Sequence, residues 1–125
     1  MVPVWQARGC VCALVFPLTQ EKTPGMFCAS VAYPLDAEGF DFDYFAHRHA
    51  PLFAELLGDN CVRFEVHRGL AAPGAPPPPF AGAAYFWVGS AEQFGQALAE
   101  HGEQIYADIA SFSRTQPVRG WAEVV

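Results

Sequence analysis

Residues 40–58 read FDFDYFAHRHAPLFAELLG, and the spacing of their apolar side chains predicts a helix. Counting His49, the apolar positions are 42, 45, 46, 49, 52, 53 and 56, which at about 100° per residue form one stripe. Asp41 suits the N-cap, and Gly58 suits the stop at the other end. Pro51 stands inside this helix with no N–H for the carbonyl of His47, and its ring crowds that carbonyl. A kink is therefore expected near His49.

Working outward, Phe27 to Tyr33 is a short run suited to a half-buried strand, separated from the helix by Pro34 and Gly39. On the other side, Val62, Phe64 and Val66 alternate with Arg63, Glu65 and His67, the period-two signature of a second strand. Gly69 to Pro79 holds four consecutive prolines and cannot form a ladder, so it reads as an extended surface loop. Phe80 to Val88 resumes as a third strand. Ser90 with Gln93 forms a capping box for a second helix, whose stripe is Phe94, Ala97, Leu98, His101, Ile105 and Ile109. Gly102 weakens its middle by about 1 kcal/mol relative to alanine. Gln116 to Val124 supplies a fourth strand.

The order β-α-β-β-α-β predicts an α+β, ferredoxin-like domain, with two helices on one face of a four-stranded antiparallel sheet. In the third strand Tyr85 and Trp87 point one way and Phe86 and Val88 the other, so both sheet faces are apolar. The face without helices then needs a cover, and a second copy packed sheet against sheet is the economical one. A homodimer is expected.

Composition agrees with this reading. The chain has 125 residues, enough for one core, and is 52% hydrophobic but only 16% charged, below the usual quarter. A net charge of −6 with no lysine or arginine cluster gives a phosphate backbone little to hold, so nucleic acid is not an expected partner. The longest apolar run, Val11 to Leu18, is about a third of a membrane span. Residues 1–25 differ from the rest and read as an appended tail, with a strand from Val11 to Phe16 as the alternative; residues 26–125 form the domain. Arg8 and the apolar stretch after it lack a small-residue cleavage site, which favours a cytoplasmic protein. Cys10, Cys12, Cys28 and Cys61 have no zinc-site spacing and are expected to be passive thiols.

The segment Phe40 to Gly58, an aromatic–Asp stretch leading into His-x-Pro-Leu, resembles the signature of the EthD (ethyl tert-butyl ether degradation) family. The resemblance continues through Glu65 to Gly69 and the proline-rich loop. It resumes at Phe94, Ile105, Asp108-Ile109 and Gln116-Pro117-Val118, and so covers about Met26 to Val125. It implies a dimeric α/β barrel. Relatives of that fold include cofactor-free monooxygenases, polyketide cyclases, muconolactone isomerase and haem-binding degraders. EthD members are associated with ether degradation beside a haem monooxygenase, and fungal ones with decarboxylation or dehydration of polyketides. Fold does not decide function, so the residues must.

His49, central in the first stripe, is the candidate acid/base because imidazole titrates near neutrality; a buried histidine bonded to a backbone carbonyl is the alternative. His47 falls on the solvated side. His101 on the second stripe raises a haem site, with His101 or His49 as axial ligand, although no carboxylate pair at ligand spacing accompanies it. Asp41 and Asp43 are explained by helix capping, and Arg63, Glu65 and His67 by an exposed or interface-rim strand face. Tyr33, Tyr44, Phe45, Tyr85, Trp87 and His101 are the candidate substrate-binding residues, with core packing as the competing reading for the aromatics. Nucleotide motifs and the G-x-S-x-G elbow are missing. The expectation is a small enzyme without a tightly held cofactor or metal, acting on a small aromatic, polyketide-like or ether-derived metabolite. It would be monooxygenase-like or lyase/isomerase-like. A non-catalytic accessory that binds a hydrophobic metabolite, and a haem-binding member of the fold, are the alternatives.

Overall fold

Ala29, Val31 and Tyr33 alternate with Cys28, Ser30 and Ala32 to make Phe27–Tyr33 a strand, β1. A computed structural model describes residues 26–125; the expectations for the first 25 residues, Cys10 and Cys12 among them, lie outside the described residues. The remaining strands are β2 (Cys61–Arg68), β3 (Gly82–Val88) and β4 (Val118–Glu123). All pair antiparallel in the order β2-β3-β1-β4. With one helix between β1 and β2 and another between β3 and β4, the fold is ferredoxin-like, as the element order predicts.

The first helix, α1, spans 42–57, and its irregularity is more specific than a kink. Phe42–Tyr44 is α-helical, Phe45–His49 is a π-helical turn, and Ala50–Leu57 is α-helical again. The Ala50 N–H donates to the Phe45 carbonyl, five residues back. Pro51, next in line, offers no N–H, so the ladder slips by one residue instead of breaking. The slip moves the buried stripe. Phe45, His49 and Phe53 are buried as the stripe predicts, but beyond the π turn Ala50 and Leu57 are buried in place of positions 52 and 56, and position 46 is not buried. Asp41 caps α1 by accepting from the Tyr44 N–H at 3.2 Å. Gly58 ends it at φ +68°, a left-handed value that glycine adopts without penalty.

The second helix, α2 (Ala91–Ile109), is capped by Ser90 Oγ, which accepts from the Gln93 N–H at 3.1 Å. The other half of the expected capping box is replaced. Asn60 Oδ1 accepts from the Ser90 N–H at 2.8 Å, and Asn60 Nδ2 donates to the Ser90 carbonyl at 3.0 Å, pinning the start of α2 beside the start of β2.

Both helices cover one sheet face. The core between the layers is aromatic: Tyr33, Phe45, Phe53, Phe86 and Phe112 meet Ile105 and Ile109. Phe112 lies beyond the last helical turn, outside every stripe the sequence shows. Yet it is only 1% exposed, and its ring stands 4.6 Å from His49, 5.3 Å from Tyr33 and 5.6 Å from Phe45. Truncating a ring packed this way typically costs about 3–5 kcal/mol.

The alternation separates Tyr85 and Trp87 from Phe86 and Val88 without saying which pair meets the helices. The structure puts Phe86 and Val88 in the core and Tyr85 and Trp87 on the opposite face, where β2 partly covers them. The Arg63 guanidinium sits 3.9 Å over Trp87, and the His67 ring lies 4.8 Å from that of Tyr85. Glu65 accepts from both Arg63 and His67, bonds that hold its carboxyl below the usual carboxylate range. Cys28 and Cys61 are free and half-buried, and burial pushes both thiols up, away from the reactive thiolate. Among the described residues no helix is long and apolar enough to cross a membrane, and no cluster of three or more His, Cys, Asp or Glu could hold a metal ion.

Candidate functional site

The two helices do not seal against the sheet along their whole length. Between them and the strands lies a cavity of about 460 Å³. Its floor is Ala29, Val31 and Tyr33 of β1, Phe86 of β3, and Arg119 and Trp121 of β4; its roof is His49 and Phe53 of α1 with Phe94, Leu98, Ile105 and Tyr106 of α2. Two glycines of α2, Gly95 and Gly102, also line it, seven residues apart on one face. A Cβ at Gly95 would meet nothing within 4 Å, and one at Gly102 only the Tyr106 ring at 3.9 Å. The glycines therefore leave room where packing does not require it, against a helix cost of about 1 kcal/mol each. The mouth lies between α2 and β4, where Trp121 and Tyr106 are about half exposed. Phe94 stacks on Trp121 at 4.8 Å at one side of it, and Arg119 sits over Tyr106 at 5.0 Å at the other.

His49 borders this cavity and is 4% exposed. Its Nδ1 is 2.9 Å from Asp108 Oδ2, and the Tyr44 hydroxyl donates to Asp108 Oδ1 at 2.8 Å. The Asp108 carboxylate thus accepts on both oxygens, which holds the Nδ1–H tautomer and leaves the Nε2 lone pair as the reactive position. Burial pulls the imidazole below its ordinary pKa, and the hydrogen bond and charge of Asp108 recover part of that shift. At neutral pH the ring is neutral and ready to accept a proton.

Of the other candidates, Tyr33 lines the cavity; Tyr44, Phe45, Tyr85, Trp87 and His101 do not. Tyr44 stands behind the imidazole, bound to Asp108. Phe45 is enclosed between Tyr33, Phe40 and Phe112. Tyr85 and Trp87 belong to the helix-free face, because their parity in β3 is opposite to that of Phe86. His101 turns toward the edge of α2, its Nε2 3.7 Å from Glu100. The two helices therefore do not present a pair of imidazoles to a shared cavity. For a haem, the lining supplies one imidazole and a single cation, Arg119, to meet two propionates, a donor set better suited to a neutral or singly charged organic molecule.

Sequence reasoning missed Asp108 and Arg119 as site residues. Asp108 had a signal: it follows Ile105 by three positions and precedes Ile109, so it is a carboxylate at the edge of an apolar stripe. Arg119 had none, since only the pairing of β4 on β1, with Arg119 opposite Val31, aims it at the helices.

Comparison with known proteins agrees with the motifs. The model of the EthD domain matches residues 33–116. An EthD-like protein from Ralstonia eutropha JMP134 is 38% identical, with a TM-score of 0.74 over 81% of this chain and 93% of that one. An EthD family protein from Bacillus halodurans C-125 is 17% identical, with a TM-score of 0.61 over 80% of this chain and 98% of that one. SnoaB, a cofactor-independent oxygenase from Streptomyces nogalater, shares the fold at 14% identity, with a TM-score of 0.53 over 79% and 90% of the two chains. No curated protein matches the chain significantly. With its signature segment, its fold and the family model in agreement, the chain belongs to the EthD family.

Proposed function

We propose that this protein is a small enzyme that begins its reaction by proton transfer, with His49 Nε2 as the base and no tightly held cofactor. The observation that carries this reading is the buried pair of His49 and Asp108, 2.9 Å apart at the wall of an apolar cavity. A neutral imidazole fixed in one tautomer and shielded from water suits removal of a proton from an acidic C–H or O–H. The proton passes to Nε2, the imidazolium is stabilised by Asp108, and the electron pair stays on the substrate as an enolate or phenolate. That anion can be reprotonated elsewhere or react with dioxygen as co-substrate. It can also take the proton back from the imidazolium at a carboxylate-bearing ring carbon, after which carbon dioxide leaves and its bonding pair restores the phenolate. The apolar lining and a volume of about 460 Å³ suit a small aromatic, polyketide-like or lactone metabolite. The cofactor-independent oxygenase SnoaB is an instance of this fold working without a prosthetic group.

The test is incubation of the purified protein in deuterium oxide with a panel of hydroxylated aromatics, anthrones and lactones, with and without air. Catalysed deuterium incorporation or product formation without added cofactor is expected. Saturable binding with neither would make the protein a binding accessory. A Soret band on haem titration that disappears in His49→Gln would make His49 a haem ligand.

The assembly is proposed to be a homodimer joined through the helix-free sheet face. Val118 there is 68% exposed, and the aromatic pair Tyr85 and Trp87 is only partly covered by β2. Light scattering at micromolar concentration is expected to give twice the chain mass; a monomer would remove the claim.

A further inference from the structure

Two polar side chains on the floor of the cavity take no part in the His49 pair. Tyr33, the last residue of β1, is fully buried, and its ring is packed by Phe40 at 5.0 Å and by Phe45 and Phe112 at 5.3 Å each. Its hydroxyl has no hydrogen-bond partner among the described residues, and Tyr33 is one of the residues that line the cavity. Leaving a buried hydroxyl unsatisfied normally costs about 1–3 kcal/mol, and phenylalanine would pack as well without that cost. Folding therefore does not account for the oxygen.

Arg119 is the second. In the register of β4 on β1 it lies opposite Val31, so it is the diagonal neighbour of Tyr33 on the same, helix-facing side. Diagonal neighbours stand about 7–8 Å apart, close enough for two side chains to share one ligand atom. Arg119 donates to Gln116 Oε1 at 3.2 Å and stacks on Tyr106, but pairs with no carboxylate among the described residues. No Asp or Glu lines the cavity. In a chain of net charge −6, an arginine at an apolar cavity without a carboxylate partner makes the site locally selective for negative charge. The Arg119 charge also reaches the Tyr33 phenol, which burial holds well above its ordinary pKa and so keeps as a donor.

We propose that Tyr33 and Arg119 form an oxyanion-receiving site, and that the cavity takes a flat aromatic monoanion whose charged oxygen is bound by the Tyr33 O–H and the Arg119 guanidinium. This rests on the proton-transfer reading only in using the same cavity. There it names the place where the enolate or phenolate oxygen would be stabilised as His49 removes the proton.

Equilibrium binding separates the two ideas, because it needs no turnover. The probes are 2-naphthoate and its uncharged analogue 2-naphthamide, titrated at pH 8 with quenching of tryptophan fluorescence, to which Trp121 in the lining contributes. The native protein is expected to hold naphthoate at least tenfold tighter than the amide. Tyr33→Phe and Arg119→Gln should each weaken naphthoate about tenfold and the amide less than twofold, while Arg119→Lys keeps part of the preference. Tyr33→Phe should melt no lower than the native protein, since it removes a hydroxyl without removing a bond; a structural hydroxyl would give a lower melting point. Equal affinity for the two probes, or equal losses for both in the variants, would overturn the proposal and leave the role of His49 untouched.

Discussion

Replacing His49 by glutamine is expected to lower turnover of the proposed substrates by about 10²- to 10⁴-fold, the range that a positioned base contributes. Glutamine approximates the size of imidazole and can still bond to Asp108, so the packing against Phe112, 4.6 Å away, is largely kept. What it cannot do is accept a proton at neutral pH. The native kcat/KM should show an acid limb below the ordinary imidazole value of about 6.5, because burial depresses His49 and Asp108 only partly restores it. Stability should follow with a definite sign. As pH falls through about 6.5 the unfolded chain binds the proton before the folded one does, so stability is lost on acidification between the unfolded and folded values. In His49→Gln both the rate limb and this part of the stability slope disappear. Turnover in the glutamine and alanine variants equal to the native rate would remove His49 from the mechanism.

Asp108→Asn is the second large effect. The amide preserves the shape of the carboxylate but not its charge, and it can donate to Nδ1 as readily as accept from it, so the imidazole is free to take the wrong tautomer. Comparable loss of a carboxylate behind a catalytic histidine has cost up to about 10⁴-fold, and a fall of at least tenfold is expected here. Both influences of Asp108 on His49 raise its pKa, the hydrogen bond and the charge alike. Removing them moves the acid limb of kcat/KM further down, not up. Nitrogen-15 NMR of the imidazole reads both consequences directly: the native ring should be mainly the Nδ1–H form, and the variant a mixture titrating at lower pH. An acid limb that moves upward in Asp108→Asn would contradict the assigned geometry.

How far the site was readable differs from residue to residue. His49 is visible because a polar side chain at the centre of an apolar stripe breaks the pattern. Asp108 sits at the edge of the second stripe, where a carboxylate reads equally well as solvated. Tyr33 is visible as a strand residue, but nothing in Phe27–Tyr33 marks its hydroxyl as unpartnered. Tyr85 and Trp87 illustrate the reverse. Their parity separates them from Phe86, but only the packing of the helices decides that Phe86 is on the covered side, so two residues that read as pocket aromatics lie on the face without helices. Phe112 follows neither period, and only the turn after α2 brings it against His49.

By itself the sequence determined the order of elements, the caps at Asp41, Gly58 and Ser90, the family signature, and the inward placement of His49 beside an irregularity caused by Pro51. These are short-range matters, decided by periodicity and backbone chemistry within one or two turns. Tertiary structure alone decided that the irregularity is a π turn, which brings Ala50 and Leu57 into the buried stripe beside Phe53. It also decided that Asp108 meets His49 across 59 residues, and that Arg119 faces the same cavity as Tyr33. Contacts of that kind depend on strand register and on how two helices settle on a sheet, and no local pattern encodes which side chains will then share a cavity.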